Sequence, residues 1–294
     1  MRGMFVTGPL AGGDSPGVGG LRVRDAVGRT FDELTGQVLN PTLRGYVADM
    51  TAPYGIAVRE DLIEAGAGHS YGEMCAPLLD VLVPEERPAD LLVLATDIPD
   101  SCFGRSTATY LSWHCAGAPL TFTVCDQGLL AVFTALHLID GYARSGACRR
   151  AVLLMAEQPT LYHEPPVPTR VPDRAAAVGV VMETAGSRGA LSVRRHTTLA
   201  AHDVPAVLAD ELARLSSDRA APVALVGAGL AAVLADRRVD GDMLVCRGSQ
   251  PLTGIWQELA HRLPGWRKHG RQVLLAEYDP ALGQLFSATL RLGD

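Results

Sequence analysis

Asparagine is all but missing from this 294-residue chain, where Asn40 is the only one. Histidine is sparse too, with eight residues and none between His202 and His261. Aromatic residues make up 5% of the chain, and lysines are few. The six cysteines (75, 102, 115, 125, 148 and 246) are scattered and form no CxxC pair. That spacing offers no zinc site and suits a reduced compartment. No apolar run is long enough to span a bilayer, and the first residues lack the charged, apolar and cleavage-site succession of a signal peptide. A cytoplasmic protein with no metal, no cofactor and no membrane contact is expected. The net charge of -6 gives no reason to expect nucleic-acid binding.

What is present is a well-mixed globular composition, 48% hydrophobic and 20% charged. The length suffices for one large domain or two fused halves with a sizeable core. Residues 121–156 organise the rest. They predict a short strand, an apolar helix over 129–145 that should be buried on nearly every face, and a strand over 151–156 covered on both sides. Gly146 follows the helix, where a left-handed cap is unstrained for glycine.

Elsewhere, residues 4–7 can form a short strand and 9–20 a glycine-rich loop. Residues 21–68 show no clear period. Ser70 reads as the N-cap of a helix over 70–83, with Glu73 completing a capping box and Pro77 interrupting the pattern. A strand at 91–95, a turn at 97–101 and a helix at 107–114 follow, and after the central block come a proline-rich loop at 159–172 and a strand at 175–183. The second half predicts strands at 191–195, 222–226, 243–246, 273–277 and 285–292, with helices at 204–215, 229–235 and 252–263. Residues 91–183 and 222–292 thus repeat one order: strand, helix, strand, helix, strand, strand. Two such α/β halves, 1–185 and 186–294, packed helix to helix give five alternating layers.

The central block carries a resemblance. Tyr142, Ser145, Gly146, Arg149, Arg150 and the strand from Val152 to Glu157 resemble the nucleophile region of the thiolase superfamily, in its ketoacyl synthase III branch. The resemblance covers about residues 71–294. It implies the five-layered αβαβα thiolase fold and a dimer formed through the strand near 121–124 and the helix near 104–116. It also implies a catalytic cysteine at a helix N-terminus, where the dipole lowers a thiol pKa. A histidine and an asparagine are implied as donors to the enolate.

None of the three family residues stands at its position. Counted back without gaps from Ser145 and Gly146, the cysteine position falls on Leu129. The histidine position falls near Ala228, in Val226-Gly227-Ala228-Gly229-Leu230. The asparagine position falls on Ser249, in Arg247-Gly248-Ser249-Gln250. The family's closing glycine-rich loop reads Glu277-Tyr278-Asp279-Pro280-Ala281-Leu282-Gly283, and Pro280 lacks an N–H. The nearest thiol to the nucleophile position, Cys125, lies four residues early and reads most simply as a small buried hydrophobe.

Joint loss with retained fold markers is similar to the non-catalytic subunits of heterodimeric ketoacyl synthase III-like synthases, of the alkylquinolone synthase type, and to chain-length factors. The resemblance therefore implies a pseudoenzyme that pairs with an active paralogue in specialised-metabolite biosynthesis, of polyketide, quinolone or antibiotic type. An acyl carrier protein or acyl-CoA would be met through that partner. The alternative is a self-sufficient acyltransferase or condensing enzyme using Cys125 as nucleophile with His114 or another histidine as base. A third reading is a homodimeric ligand-binding protein that kept the acyl tunnel.

Three further motifs compete. Gly68-His69-Ser70-Tyr71-Gly72 fits the hydrolase elbow G-x-S-x-G, but a charged, helical stretch precedes it where a buried strand is needed. Gly227 to Ala232 fits G-x-G-x-x-A, yet Cys246 and Arg247 stand where an acid should bind ribose, so close helix packing is expected. Trp113-His114-Cys115 suggests a Cys–His pair but suits interface packing. His137 is expected in the core, and His163 lies in a loop without a motif.

Overall fold

The computed structural model describes residues 20–32, 39–165, 169–184, 191–215, 222–235, 242–246 and 250–292. The segment without a clear sequence period opens with β1 (Leu21–Phe31), the longest strand among the described residues. Its pairing register slips between Val23 and Asp25. A bulge there interrupts the two-residue alternation, which is why the sequence pattern hides the strand. The sole asparagine has a structural use: the Asn40 side chain accepts the Leu43 N–H at 2.9 Å and caps α1 (Pro41–Thr51). A short α2 (Glu60–Glu64) follows.

Ser70 caps α3 (Tyr71–Leu82) by accepting the Glu73 N–H, and Pro77 is carried inside that helix. Strand β2 (Leu91–Ala95) and helix α4 (Thr107–His114) come next. They are followed by β3 (Leu120–Val124), α5 (Ala131–Arg144), β4 (Arg150–Glu157) and β5 (Ala175–Thr184). The first sheet has the order β1-β5-β4-β2-β3. Strand β2 runs parallel to both β3 and β4, and β5 is antiparallel to β4 and β1. The all-apolar runs take the central places because both their faces are covered.

The second half contains β6 (Ser192–His196), α6 (Val204–Leu215), β7 (Val223–Val226) and α7 (Ala228–Leu234). It closes with β8 (Asp242–Val245), α8 (Gly254–Lys268), β9 (Gln272–Asp279) and β10 (Gln284–Arg291). Its sheet order, β6-β10-β9-β7-β8, repeats the first sheet strand for strand. The largest core cluster joins α5 and α8 to residues of both sheets. A second cluster holds α3 and α4 on the outer face of the first sheet, and a third holds α6 and α7 on the outer face of the second. The layers are therefore helix, sheet, helix, sheet, helix, the arrangement of the thiolase fold.

Two expectations about α5 are corrected. Its first turns, with Ala131, Val132, Phe133, Ala135 and Leu136, are enclosed between the sheets. Its later turns emerge, and His137, Leu138, Gly141 and Arg144 face solvent. His137 is an exposed residue, not a core histidine. Gly146 does adopt the left-handed conformation, at φ 78°. The expected strand at 4–7 and the loop over 9–19 lie outside the described residues.

Candidate functional site

The parallel strands of both sheets end at one pole, and the N-termini of α5, α7 and α8 point into it. After Val124 the chain turns sharply. Asp126 and Gly128 both take positive φ (58° and 55°), and a 3-10 turn over Gly128–Leu130 leads into α5. Leu129 sits in that turn, 5% exposed. A Cβ added to Gly128 would stand 2.7 Å from Asp279 Oδ2, so this carboxylate lies directly against the head of the helix. Asp279 is itself held by the N–H groups of Ala281 (2.9 Å) and Leu282 (3.2 Å).

Ala228 is the first residue of α7, after Gly227 in extended conformation. The buried Glu277 carboxylate occupies this helix end, accepting the N–H groups of Leu230 and Tyr278 at 2.9 Å each. A Cβ on Gly227 would meet Glu277 Oε2 at 1.8 Å, and one on Gly229 the Tyr278 carbonyl at 2.1 Å. The glycines of the G-x-G-x-x-A run are therefore required by the approach of β9. The helix N–H that a nucleotide phosphate would use is bonded to the protein's own carboxylate. Burial pushes the Glu277 carboxyl up to about 7, against the opposing pull of the backbone donors and of Arg170.

A third carboxylate closes α8. Glu157 accepts the N–H groups of Leu252 and Thr253, each at 2.9 Å, together with the Thr253 hydroxyl and the Gln250 amide. Burial holds its carboxyl above the ordinary range despite these donors. Ser249, expected from the sequence at the asparagine position of the resembled family, lies outside the described residues. Cys246, which follows β8, is pushed up to about 12, chiefly by burial and secondarily by Glu258 and Glu277.

Cys125 is not the small buried hydrophobe expected from the sequence. It is exposed, because the turn at Asp126 throws it off the end of β3 toward a cavity of about 320 Å3. Asp97, Asp100, Thr107 and Asp126 share that cavity. The thiol donates to Asp126 Oδ2 at 3.3 Å. Burial, then that bond and the Asp126 charge, raise its pKa. Asp97 is likewise raised, by burial first and then by Asp279 and Asp126. An acidic field of this kind opposes a thiolate and opposes any enolate or oxyanion forming beside it.

The competing motifs resolve locally. Ser70 is 1% exposed, caps α3 and accepts a hydrogen bond from Arg105, an arrangement unlike a hydrolase elbow. His114 meets Asp80 at 2.9 Å on α3 and is not drawn toward Cys125. Trp113 beside it is 82% exposed. His163 forms only an isolated bridge with Val58. Sequence reasoning named the loop containing Glu277 and Asp279 but not their role. The signal was an acidic pair at the end of a buried apolar strand, where a charge must find donors.

No protein-family model matches the sequence, and no curated protein matches it. Solved structures do. A 3-oxoacyl-(acyl-carrier protein) synthase from Burkholderia xenovorans is 14% identical, with 94% of this chain and 95% of that chain covered, at a TM-score of 0.61. The 3-oxoacyl-(acyl carrier protein) synthase III FabH from Pseudomonas aeruginosa is 16% identical over 94% of this chain and 99% of that chain, at 0.59. AbyA1, described as a tetronic acid condensing enzyme, is 16% identical over 92% and 99%, at 0.59. The chain has the fold of these ketoacyl synthase III-like enzymes along nearly its whole length.

Proposed function

We propose that this chain is the non-catalytic partner of an active ketoacyl synthase III-like paralogue, in a condensing or acyl-transferring heterodimer of specialised-metabolite biosynthesis. One observation carries the reading: the helix heads at the catalytic pole are faced by the protein's own carboxylates. Asp279 lies against the turn leading into α5, Glu277 on α7 and Glu157 on α8. Leu129 and Ala228 supply neither nucleophile nor base beside them. The N–H groups of Leu230, Leu252 and Thr253 are satisfied internally, and the Asp279 carboxylate against the turn into α5 disfavours the anionic states that decarboxylative condensation passes through. The protein keeps the architecture of a condensing enzyme while opposing its chemistry.

The partner would dock at β3. This is the edge of the first sheet, free of proline and charge along Leu120–Val124. Leu120 is 55% exposed and Trp113 on the neighbouring helix is 82% exposed. An apolar edge of this kind suits pairing with a second strand. In the pair, this subunit would buttress the acyl pocket of the active one, whose acyl group comes from a carrier protein or acyl-CoA.

Co-expression with an active paralogue, size-exclusion chromatography and an acyl-loading assay test the proposal. The expected result is a heterodimer that loses activity when the partner's nucleophile is replaced and keeps it in Cys125→Ala. The exposure of Cys125 in its cavity favours a second reading, a self-sufficient acyltransferase. A lone chain acylated on Cys125 would establish that reading and overturn the first.

A further inference from the structure

At the pole opposite the candidate site lies a cleft of about 530 Å3. Strand β4 connects the two, beginning in the cleft at Arg150 and ending at Glu157, roughly 23 Å away at about 3.3 Å per residue. Six arginines line the cleft: Arg22, Arg24, Arg87, Arg150, Arg267 and Arg291. Asp25 is the only acidic residue among the lining residues described. This is a strong local concentration of positive charge in a chain whose net charge is -6.

The arginines converge from five separate parts of the fold. Arg22 and Arg24 come from β1, Arg87 from the loop before β2, Arg150 from β4, Arg267 from α8 and Arg291 from the end of β10. Glu183 organises three of them. Arg24 Nε donates to its Oε2 at 2.8 Å, Arg87 Nη2 to its Oε1 at 2.6 Å, and Arg150 Nη1 also bonds Oε1. Burial alone would raise the Glu183 carboxyl, but the Arg24 hydrogen bond and the fields of Arg150 and Arg87 outweigh it and hold it low. One carboxylate thus serves three guanidiniums. Arg150 also reaches the Leu82 carbonyl, and Arg267 the Arg24 carbonyl, while the buried Arg150 Nε has no acceptor among the described residues. Arg24, Arg87 and Arg150 thus bring three positive charges to the single Glu183 carboxylate, and all three line the cleft.

We propose that this cleft binds a phosphate-bearing small molecule, with two or more phosphoryl oxygens held bidentately by Arg24, Arg87 and their neighbours. Planar guanidiniums match phosphate geometry, and the volume lies within the range of small-ligand sites. An apolar wall that includes Val23, Leu82 and Leu292 suits an organic group attached to the phosphate. The site is independent of the function proposed above, because it uses none of the same residues.

Inorganic pyrophosphate is the probe, titrated calorimetrically into the full chain at constant ionic strength with chloride as the control. Saturable one-site binding is expected. Arg24 and Arg87 are 47% and 59% exposed at their side chains, so the double variant Arg24→Gln, Arg87→Gln should fold. It should bind about ten-fold more weakly or worse. Glu183→Gln removes the competing charge and should bind several-fold more tightly. Absence of saturable binding overturns the proposal, as does equal affinity in the folded arginine variant. Both outcomes leave the acyl-loading experiment untouched, so the two proposals fail separately.

Discussion

Glu157 and Thr253 join the two halves of the molecule: the Glu157 carboxylate, at the end of β4, accepts both the backbone N–H and the hydroxyl of Thr253 at the head of α8. The reciprocal element is Asp279, at the end of β9, which lies against Gly128 at the head of α5. Each sheet sends a carboxylate to the helix of the other half. These contacts fix how the duplicated units meet in the central layer.

Glu157→Ala removes an acceptor from two buried backbone donors and a buried hydroxyl. We expect a loss of about 3 kcal/mol, the scale for leaving buried donors unsatisfied. Glu157→Gln keeps one acceptor oxygen and should lose less. Urea unfolding of the variants measures both. A wild-type midpoint for Glu157→Ala would contradict the capping role.

Glu277 makes stability depend on pH. Its carboxyl titrates at about 7 in the folded chain against an ordinary 4.5, so the folded state binds the proton more tightly. That contribution is fully present below pH 4.5 and is lost as pH rises through about 7. The difference amounts to about 3 kcal/mol. Glu277→Gln stays neutral, so its stability relative to wild type should rise between these limits. Thermal melts of both proteins at matched pH values would show this, and parallel curves would refute it.

Cys125 should be a slow thiol. Burial and Asp126 keep it protonated near neutrality. Iodoacetamide labelling at this site should be slower than for a free cysteine at the same pH and should accelerate in Asp126→Asn. Mass spectrometry of timed digests gives the rates. Labelling faster than free cysteine would instead mark an activated nucleophile.

Restoring the missing thiol should not restore chemistry. Leu129→Cys places a thiol one residue from Gly128, against which Asp279 lies, and the carboxylate's charge opposes a thiolate there, with no histidine at Ala228 to assist. Incubated with an acyl-CoA, the variant should remain unacylated by intact mass. Ready acylation would show that the acidic pole is no barrier.

If β3 is the docking edge, Leu120→Lys and Trp113→Ser together should weaken the heterodimer by about 2 kcal/mol or more without unfolding the chain, since both side chains lie largely in solvent. Sedimentation of the mixed subunits is the readout. Unchanged association would move the interface elsewhere.

Much of the fold was legible because its cause is local. The strand at 91–95 and the helices at 107–114 and 204–215 are found at the residues their patterns predict, since continuous apolar runs and capped amphipathic turns carry their own period. The duplicated order followed from the same signals. By itself the sequence also determined that Asn40 is the only asparagine and that no histidine lies between His202 and His261, the observations behind the expected loss of the resembled catalytic residues at 129, near 228 and at 249. What lay beyond it depended on partners distant in the chain. The bulge in β1 is a property of its pairing with β5, and the exposure of Cys125 and His137 depends on where two sheets end. Only the tertiary structure brought Glu157, Glu277 and Asp279 to helix ends, and only it gathered six arginines at the far pole. Charge acts through space, and a linear pattern records which charges exist but not which of them meet.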